Sequence, residues 1–142
     1  MTESMEIRSF HPSDTETVVA LWHACELTRP WNDPHRDIER KLTVQPELFL
    51  VGTVDDQPVA SLMAGYDGHR GWLNYLAVSP THRGRGFGRL LVREAETRLE
   101  ALGCPKVNLQ VRAGNDAAIG FYRALGYEPD GAMSMGLRLI PD

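Results

Sequence analysis

Apolar and polar residues alternate through Met5-Glu6-Ile7-Arg8-Ser9-Phe10, the period of a strand with one buried face, so the chain opens on a strand. Past Pro12, Ser13 and Glu16 stand at capping-box spacing, and Val18, Leu21, Trp22 and Cys25 then recur on one helical face. This predicts a first helix running to about Leu27. Arg29-Pro30-Trp31-Asn32-Asp33-Pro34 breaks it, because each proline removes a donor and disfavours helix at the residue before it. A shorter helix from about residue 34 to 43 follows, with Ile38 and Leu42 inward. The texture then changes to apolar runs: Leu48-Phe49-Leu50-Val51-Gly52-Thr53-Val54, a turn at Asp55-Asp56-Gln57-Pro58, and a second run from Val59 to Tyr66. A turn at Asp67-Gly68-His69-Arg70-Gly71 leads into Trp72-Leu73-Asn74-Tyr75-Leu76-Ala77-Val78, a third consecutive antiparallel strand.

Beyond a glycine-rich segment, Leu91, Ala95, Leu99 and Leu102 repeat at helical spacing until Gly103. Val107, Leu109 and Val111 alternate with Asn108, Gln110 and Arg112 as a fifth strand, and Asn115 caps a short helix through Leu125, closed by Gly126. Ala132 to Ile140 completes the chain with one or two strands. The order βααβββαβαβ mixes helices and strands without strict alternation. That pattern indicates an α+β fold with a mixed, mostly antiparallel central sheet flanked by helices.

The 142 residues suit a single domain over residues 1–142, long enough for a core without disulfides or metals. Fifteen basic against nineteen acidic residues give a net charge of −4, and 42% of the residues are hydrophobic, which argues against disorder and against a general nucleic-acid binder. No apolar run reaches the roughly 18 residues of a membrane span, and Met1-Thr2-Glu3-Ser4-Met5-Glu6 lacks the features of a signal peptide, so a cytoplasmic protein is expected. Cys25 and Cys104 form no C-x-x-C pair, and His11, His23, His35, His69 and His82 show no metal-ligand grouping; no metal site is expected.

The chemistry concentrates in Val78-Ser79-Pro80-Thr81-His82-Arg83-Gly84-Arg85-Gly86-Phe87-Gly88, between a strand and a helix. Gly86 and Gly88 carry no side chain to block approach, so backbone N–H groups at a helix start can converge on a phosphate, with Arg83, Arg85 and Arg89 adding positive charge. A dinucleotide fingerprint starting at Gly84 requires glycine where Arg89 stands, and no Gly-Lys-Ser/Thr of a Walker motif occurs. The plainer reading is a basic turn capping a glycine-started helix.

Arg83-Gly84-Arg85-Gly86-Phe87-Gly88 resembles the acetyl-CoA signature Gln/Arg-x-x-Gly-x-Gly/Ala of the GCN5-related N-acetyltransferases, the GNAT family. Asn115, Ala118, Tyr122, Gly126 and Tyr127 resemble that family's second pattern, Asn-x-x-Ala-x-x-x-Tyr-x-x-x-Gly-Phe/Tyr. Trp31-Asn32-Asp33-Pro34 and Leu73-Asn74-Tyr75-Leu76 also look like its small bacterial YpeA-like members. The resemblance implies direct transfer of an acetyl group from acetyl-CoA to an amine, without a metal. It implies that Leu76, Ala77 and Val78 on the fourth strand bind the pantetheine arm, that the fourth and fifth strands splay around it, and that the backbone of Arg83, Gly84, Arg85, Gly86, Phe87 and Gly88, with Arg89, holds the pyrophosphate. A backbone N–H near residues 76–78 polarises the thioester carbonyl. Tyr122 takes the role of general acid toward the leaving thiolate; read alone, the plainer reading is a tyrosine packed on one helix face with its hydroxyl at the surface. Asn115 contacts the cofactor arm or serves only as helix cap.

An alkyl amine of pKa near ~10.4 is protonated at neutral pH, so a proton must be removed. Where some relatives that modify protein N-termini carry a glutamate on the fifth strand, this chain has Gln110, a departure from that pattern. Asp33, Glu26, His35 and Tyr75 are candidate replacements. The acceptor site is expected at the loop bearing Trp31, Asn32 and Asp33, with Asn74 and Tyr75, and at the turn from Tyr66 to Arg70. Trp31 can pack on a carbon chain and Asp33 attract a cationic amine. The expectation is therefore an acetyl-CoA-dependent N-acetyltransferase acting on a primary amine of a small molecule, peptide or protein, monomeric or homodimeric, without nucleic-acid or membrane partners. The alternative is a non-catalytic acyl-CoA-binding sensor or partner module; a weaker one takes His82-Arg83-Gly84-Arg85 as an RNA contact.

Overall fold

The computed structural model describes residues 4–142, so residues 1–3 of the leader reading lie outside the described residues. Among the described residues five strands, β1 (Glu6–Ser9), β2 (Phe49–Val54), β3 (Gln57–Tyr66), β4 (Gly71–Val78) and β5 (Val107–Leu109), form one sheet in sequence order. The first four pair antiparallel and β5 joins β4 in parallel. Four α-helices, α1 (Thr15–Ala24), α2 (Pro34–Lys41), α3 (Phe87–Ala101) and α4 (Asp116–Ala124), flank it. The expected α+β architecture is present, with α3 as the crossover that a parallel pair requires.

Both faces of the sheet are covered, which explains why the central strands read as continuous apolar runs. On one face Leu50, Leu62, Ala64 and Leu73 pack with Leu91, Val92, Ala95 and Leu99 of α3 and with Leu125. On the other, Phe49, Val51, Met63 and Ala77 pack with Val18, Leu21 and Trp22 of α1 and Ile38 of α2. Neighbours in sequence thus feed opposite cores, as the strand period demands. Phe10 stacks on Phe49 at 4.3 Å and continues the second core past the end of β1.

Three expectations are corrected. The capping box lies two residues earlier than Ser13 and Glu16. His11 and Asp14 form it around the 3-10 turn Pro12–Asp14, while Glu16 reaches across to His35 at 3.0 Å. The cause is Arg8 of β1, whose guanidinium grips both oxygens of the buried Asp14 carboxylate at 2.7 and 2.9 Å. The first helix stops at Ala24, because Glu26 takes a left-handed backbone (φ 58°). Finally, no ladder forms over residues 132–140, where Met133, Met135, Leu137 and Leu139 are more than four-fifths exposed. An extended chain becomes a sheet strand only by pairing, and β5 ends at Leu109. Past it, Gln110 touches the segment through its side chain, donating to Ser134 Oγ at 2.7 Å.

The Arg8 hydrogen bonds, first among the causes, hold the Asp14 carboxyl below the usual carboxylate range. A lowered folded pKa contributes stability that is complete above the unfolded value and fades as pH falls through the folded one. Asp14→Ala should therefore cost about 1 kcal/mol near neutral pH, allowing for the exposure of Arg8. Denaturant unfolding from pH 7 downward should show that deficit shrinking once pH drops below about 4.

Candidate functional site

The β4–β5 ladder holds three residue pairs, Gly71 with Val107, Trp72 with Asn108 and Leu73 with Leu109. Beyond Leu73, β4 runs on to Val78 with β3 on one side and, among the described residues, no strand on the other, so the two strands part where the expected cofactor residues lie. Leu76 and Val78 are half-buried against the α3-side core, and Ala77 is buried against the α1 side.

A bulge sits just before them. Between the pairs Ser61–Ala77 and Met63–Asn74, β3 contributes Leu62 while β4 contributes both Tyr75 and Leu76. Tyr75 has φ 55°, the sole non-glycine residue within a described strand in the left-handed region, at a cost of about 1–2 kcal/mol. Its ring stacks on the buried Trp22 at 3.9 Å and 12°, and its hydroxyl donates to Asp37 Oδ2 at 2.6 Å. Burial first, then Asp37, pushes the Tyr75 phenol far up, so it stays protonated and offers no base. The buried Ser61 hydroxyl accepts from Trp22 Nε1 at 2.9 Å and donates to the Tyr75 carbonyl at 3.4 Å.

After β4, the 3-10 turn Pro80–His82 leads to the glycine-rich segment. Gly86, with φ 79°, is the N-cap of α3 and supplies no side-chain cap, so the first-turn N–H groups lack an intrahelical acceptor. A Cβ added at Gly84 or Gly86 would meet no protein atom within 4 Å, although both need glycine's backbone freedom. A Cβ on Gly88 would stand 3.2 Å from Phe121, so that glycine lets α4 approach α3. Arg83 and Arg85 are exposed and donate to the Val78 and Thr81 carbonyls at 3.3 Å; Arg89 is exposed, and the Phe87 side chain is buried. An open, glycine-lined helix start with exposed guanidinium groups suits a pyrophosphate.

Tyr122 on α4 packs against the same core as Leu76 and Val78, edge-on to Phe121 at 5.0 Å and Tyr127 at 5.7 Å. Burial pushes its phenol up to about 12, with no hydrogen-bond partner among the described residues. It is a protonated hydroxyl at neutral pH. Asn115 is exposed and caps α4, its Oδ1 accepting from Ala118 N at 3.2 Å.

The helix that follows the loop bearing Trp31, Asn32 and Asp33, α2, is tied to β4 through the Tyr75–Asp37 bond. The turn from Tyr66 to Arg70 lies at the opposite end of β4 from Val78, roughly 20 Å of strand away. Asp67 closes that turn on the His69 and Arg70 amides. Asp33 is engaged as the N-cap of α2, accepting from the His35 and Arg36 amides, and His35 pairs with Glu16. Trp31 is 57% exposed and Asn74 is exposed. Asp142 joins the loop from the far end of the sequence, accepting from Asp33 N and Arg40 at 3.1 Å. Sequence reasoning missed Ser61, Asp37 and Asp142. A serine inside the apolar run of β3 was the one available signal.

Residues 16–127 match the model of the acetyltransferase (GNAT) family. The chain belongs to that family. Acetyltransferase YE1169 of Yersinia enterocolitica is 55% identical over 138 residues, covering 97% of this chain and 98% of that protein. Acetyltransferase ECA0875 of Pectobacterium atrosepticum is 53% identical over the same shares. Among solved structures, Ard1 from Thermoplasma volcanium superposes with a TM-score of 0.78 at 28% identity, covering 86% of this chain and 81% of that one. AAC(6')-Iy in complex with a CoA bisubstrate analogue superposes at 0.78 with 18% identity, covering 96% and 99%, a likeness of fold. The protein is accordingly an acetyltransferase, and its family uses acetyl-CoA. Among the described residues no group of three His, Cys, Asp or Glu can hold a metal ion, and no helix is long and apolar enough to cross a membrane.

Because the Tyr122 hydroxyl has no hydrogen-bond partner among the described residues, removing it should barely affect folding. Tyr122→Phe is expected to stay within about 0.5 kcal/mol of the parent in denaturant unfolding.

Proposed function

We propose that the chain acts as a single domain that transfers an acetyl group from acetyl-CoA directly to a primary amine of a small molecule, peptide or protein. The observation that carries this reading is the stretch of β4 past Leu73 with no strand on its β5 side among the described residues, followed through the turn Pro80–His82 by the open helix start at Gly86. The pantetheine arm lies along residues 76–78 as an added strand would. The backbone of Arg83, Gly84, Arg85, Gly86, Phe87 and Gly88 holds the pyrophosphate, with Arg89 adding charge. A backbone N–H at residues 76–78 faces the thioester oxygen and stabilises the charge that develops there.

The acceptor ammonium first gives up a proton to water; the freed lone pair then attacks the thioester carbonyl, the new N–C bond forms and the C–S bond breaks. Tyr122 gives its proton to the departing thiolate and recovers one from solvent, while the nitrogen's second proton leaves through water. With Asp33 held as a helix cap, His35 paired with Glu16 and Tyr75 bonded to Asp37, none of these is poised as a dedicated base. Trp31, Asp33, Asn74 and Tyr75 border the acceptor side, Trp31 offering an exposed ring to a carbon chain. Asn115 is a cap first, and its exposed amide also faces the cofactor arm.

The experiment is thiol release from acetyl-CoA against polyamines, amino acids, aminoglycosides and peptides with free amines. Tyr122→Phe should lower turnover by about 10²–10⁴-fold while the acetyl-CoA affinity stays within about threefold. Retained turnover removes Tyr122 from its role. Release at the no-amine blank for every acceptor, with acetyl-CoA still raising the melting temperature, favours the non-catalytic binding module.

Gly86→Asp sets a negative side chain in the proposed pyrophosphate cradle. Calorimetry should show acetyl-CoA affinity falling by at least about tenfold, and an unchanged affinity rejects the cradle.

A further inference from the structure

Tyrosine is an unfavourable residue for the left-handed position it occupies in the β4 bulge, where glycine or asparagine fits without strain. Yet its side chain and its carbonyl are both held. The ring lies flat on Trp22 of α1, the hydroxyl is bonded to Asp37 of α2, and the carbonyl receives the Ser61 hydroxyl that Trp22 itself donates to. Ser61 and Trp22 are fully buried, so the assembly has little freedom to relax. It joins two helices and β3 to one peptide of β4. That peptide, between Tyr75 and Leu76, is the one the bulge takes out of register with β3, and it immediately precedes Ala77 and Val78.

We propose that Tyr75 is a positioning residue for acetyl transfer: anchored by Trp22 and Asp37, it fixes the bulge so that the backbone at Leu76 points its N–H at the thioester oxygen. This rests on the proposed placement of the thioester at residues 76–78. Tyr75 itself touches no reacting atom; its side chain works through the peptide that follows it. A conformation this strained persists only where surrounding contacts over-determine it, and here those contacts come from the helices that border the acceptor loop. Loosening the Asp37 bond lets the peptide rotate, and polarisation of the carbonyl falls while the pyrophosphate contacts at Gly86 are unaffected.

The test needs no acceptor. Infrared difference spectra of acetyl-CoA labelled with carbon-13 at the thioester carbonyl, bound to the intact protein, report the hydrogen bond on that carbonyl as a shift to lower frequency. The variants are Tyr75→Phe, which keeps the stack on Trp22, Asp37→Ala, their double variant, and Asp37→Asn, which keeps an acceptor oxygen. The parent band is expected below that of free acetyl-CoA. Tyr75→Phe and Asp37→Ala should each return it part of the way, the double variant no further than either, and Asp37→Asn should stay near the parent. Acetyl-CoA affinity should remain within about threefold throughout. A purely structural role would lower the melting temperature and leave the band where it is. An unmoved band in both Tyr75→Phe and Asp37→Ala, with a shifted parent, overturns the inference and leaves the acetyl-CoA reading intact. A parent that binds acetyl-CoA without a shift overturns the inference together with the placement of the thioester at residues 76–78, and one that fails to bind acetyl-CoA overturns the acetyl-CoA reading as well.

Discussion

Backbone N–H and C=O groups must find partners, and in this molecule that constraint bears hardest on β4. Along one edge β4 is zipped to β3 for its whole length, apart from the bulge at Tyr75 and Leu76. Along the other edge its ladder to β5 lasts three residue pairs and then stops, leaving polar backbone with no strand beside it. Such an edge inside a sheet calls for solvent or for a bound chain-like molecule. The acetyltransferase family to which the protein belongs uses acetyl-CoA, whose extended pantetheine arm is such a molecule.

The rest of the fold serves that half-open strand. Apolar side chains from β2 and β3 alternate between two cores, α3 closing one and α1 with α2 the other, so β4 is pinned from both sides while its edge stays free. The crossover that makes β5 parallel is the same α3 whose uncapped start, at Gly86, adjoins the end of the strand. One connection thus creates both the opening and its charged end. On the opposite face Trp22, Ser61, Tyr75 and Asp37 tie helices and strands to the bulge.

Most of the elements were legible because their signals are local. Helical spacing in Leu91, Ala95 and Leu99, the breaking prolines at 30 and 34 and the apolar runs of β2 and β3 each depend on residues a few positions apart. The glycine-rich segment was legible for the same reason: a sharp helix start at a glycine is written in consecutive residues. Errors fell where distant partners decide. The cap moved to His11 and Asp14 because Arg8 from another element claims the carboxylate. The extended pattern of residues 132–140 formed no ladder, since a strand needs a neighbour that its own sequence cannot supply. Likewise the turn at Asp67 and Arg70, near β4 in sequence, lies at its far end in space.

By itself the sequence determined the element types, the two-sided burial of the central strands and the resemblance that the family match bears out, because periodicity and short motifs are properties of neighbouring residues. Only the tertiary structure decided that Tyr75 is tied to Asp37 rather than poised as a base, and that a serine in β3 secures the bulge. Those roles arise from contacts across 14 to 39 positions of chain, such as Ser61 with Tyr75 and Trp22 with Ser61. Side-chain partners at such separations are set by how the two cores pack the helices onto the sheet, and no local pattern encodes them.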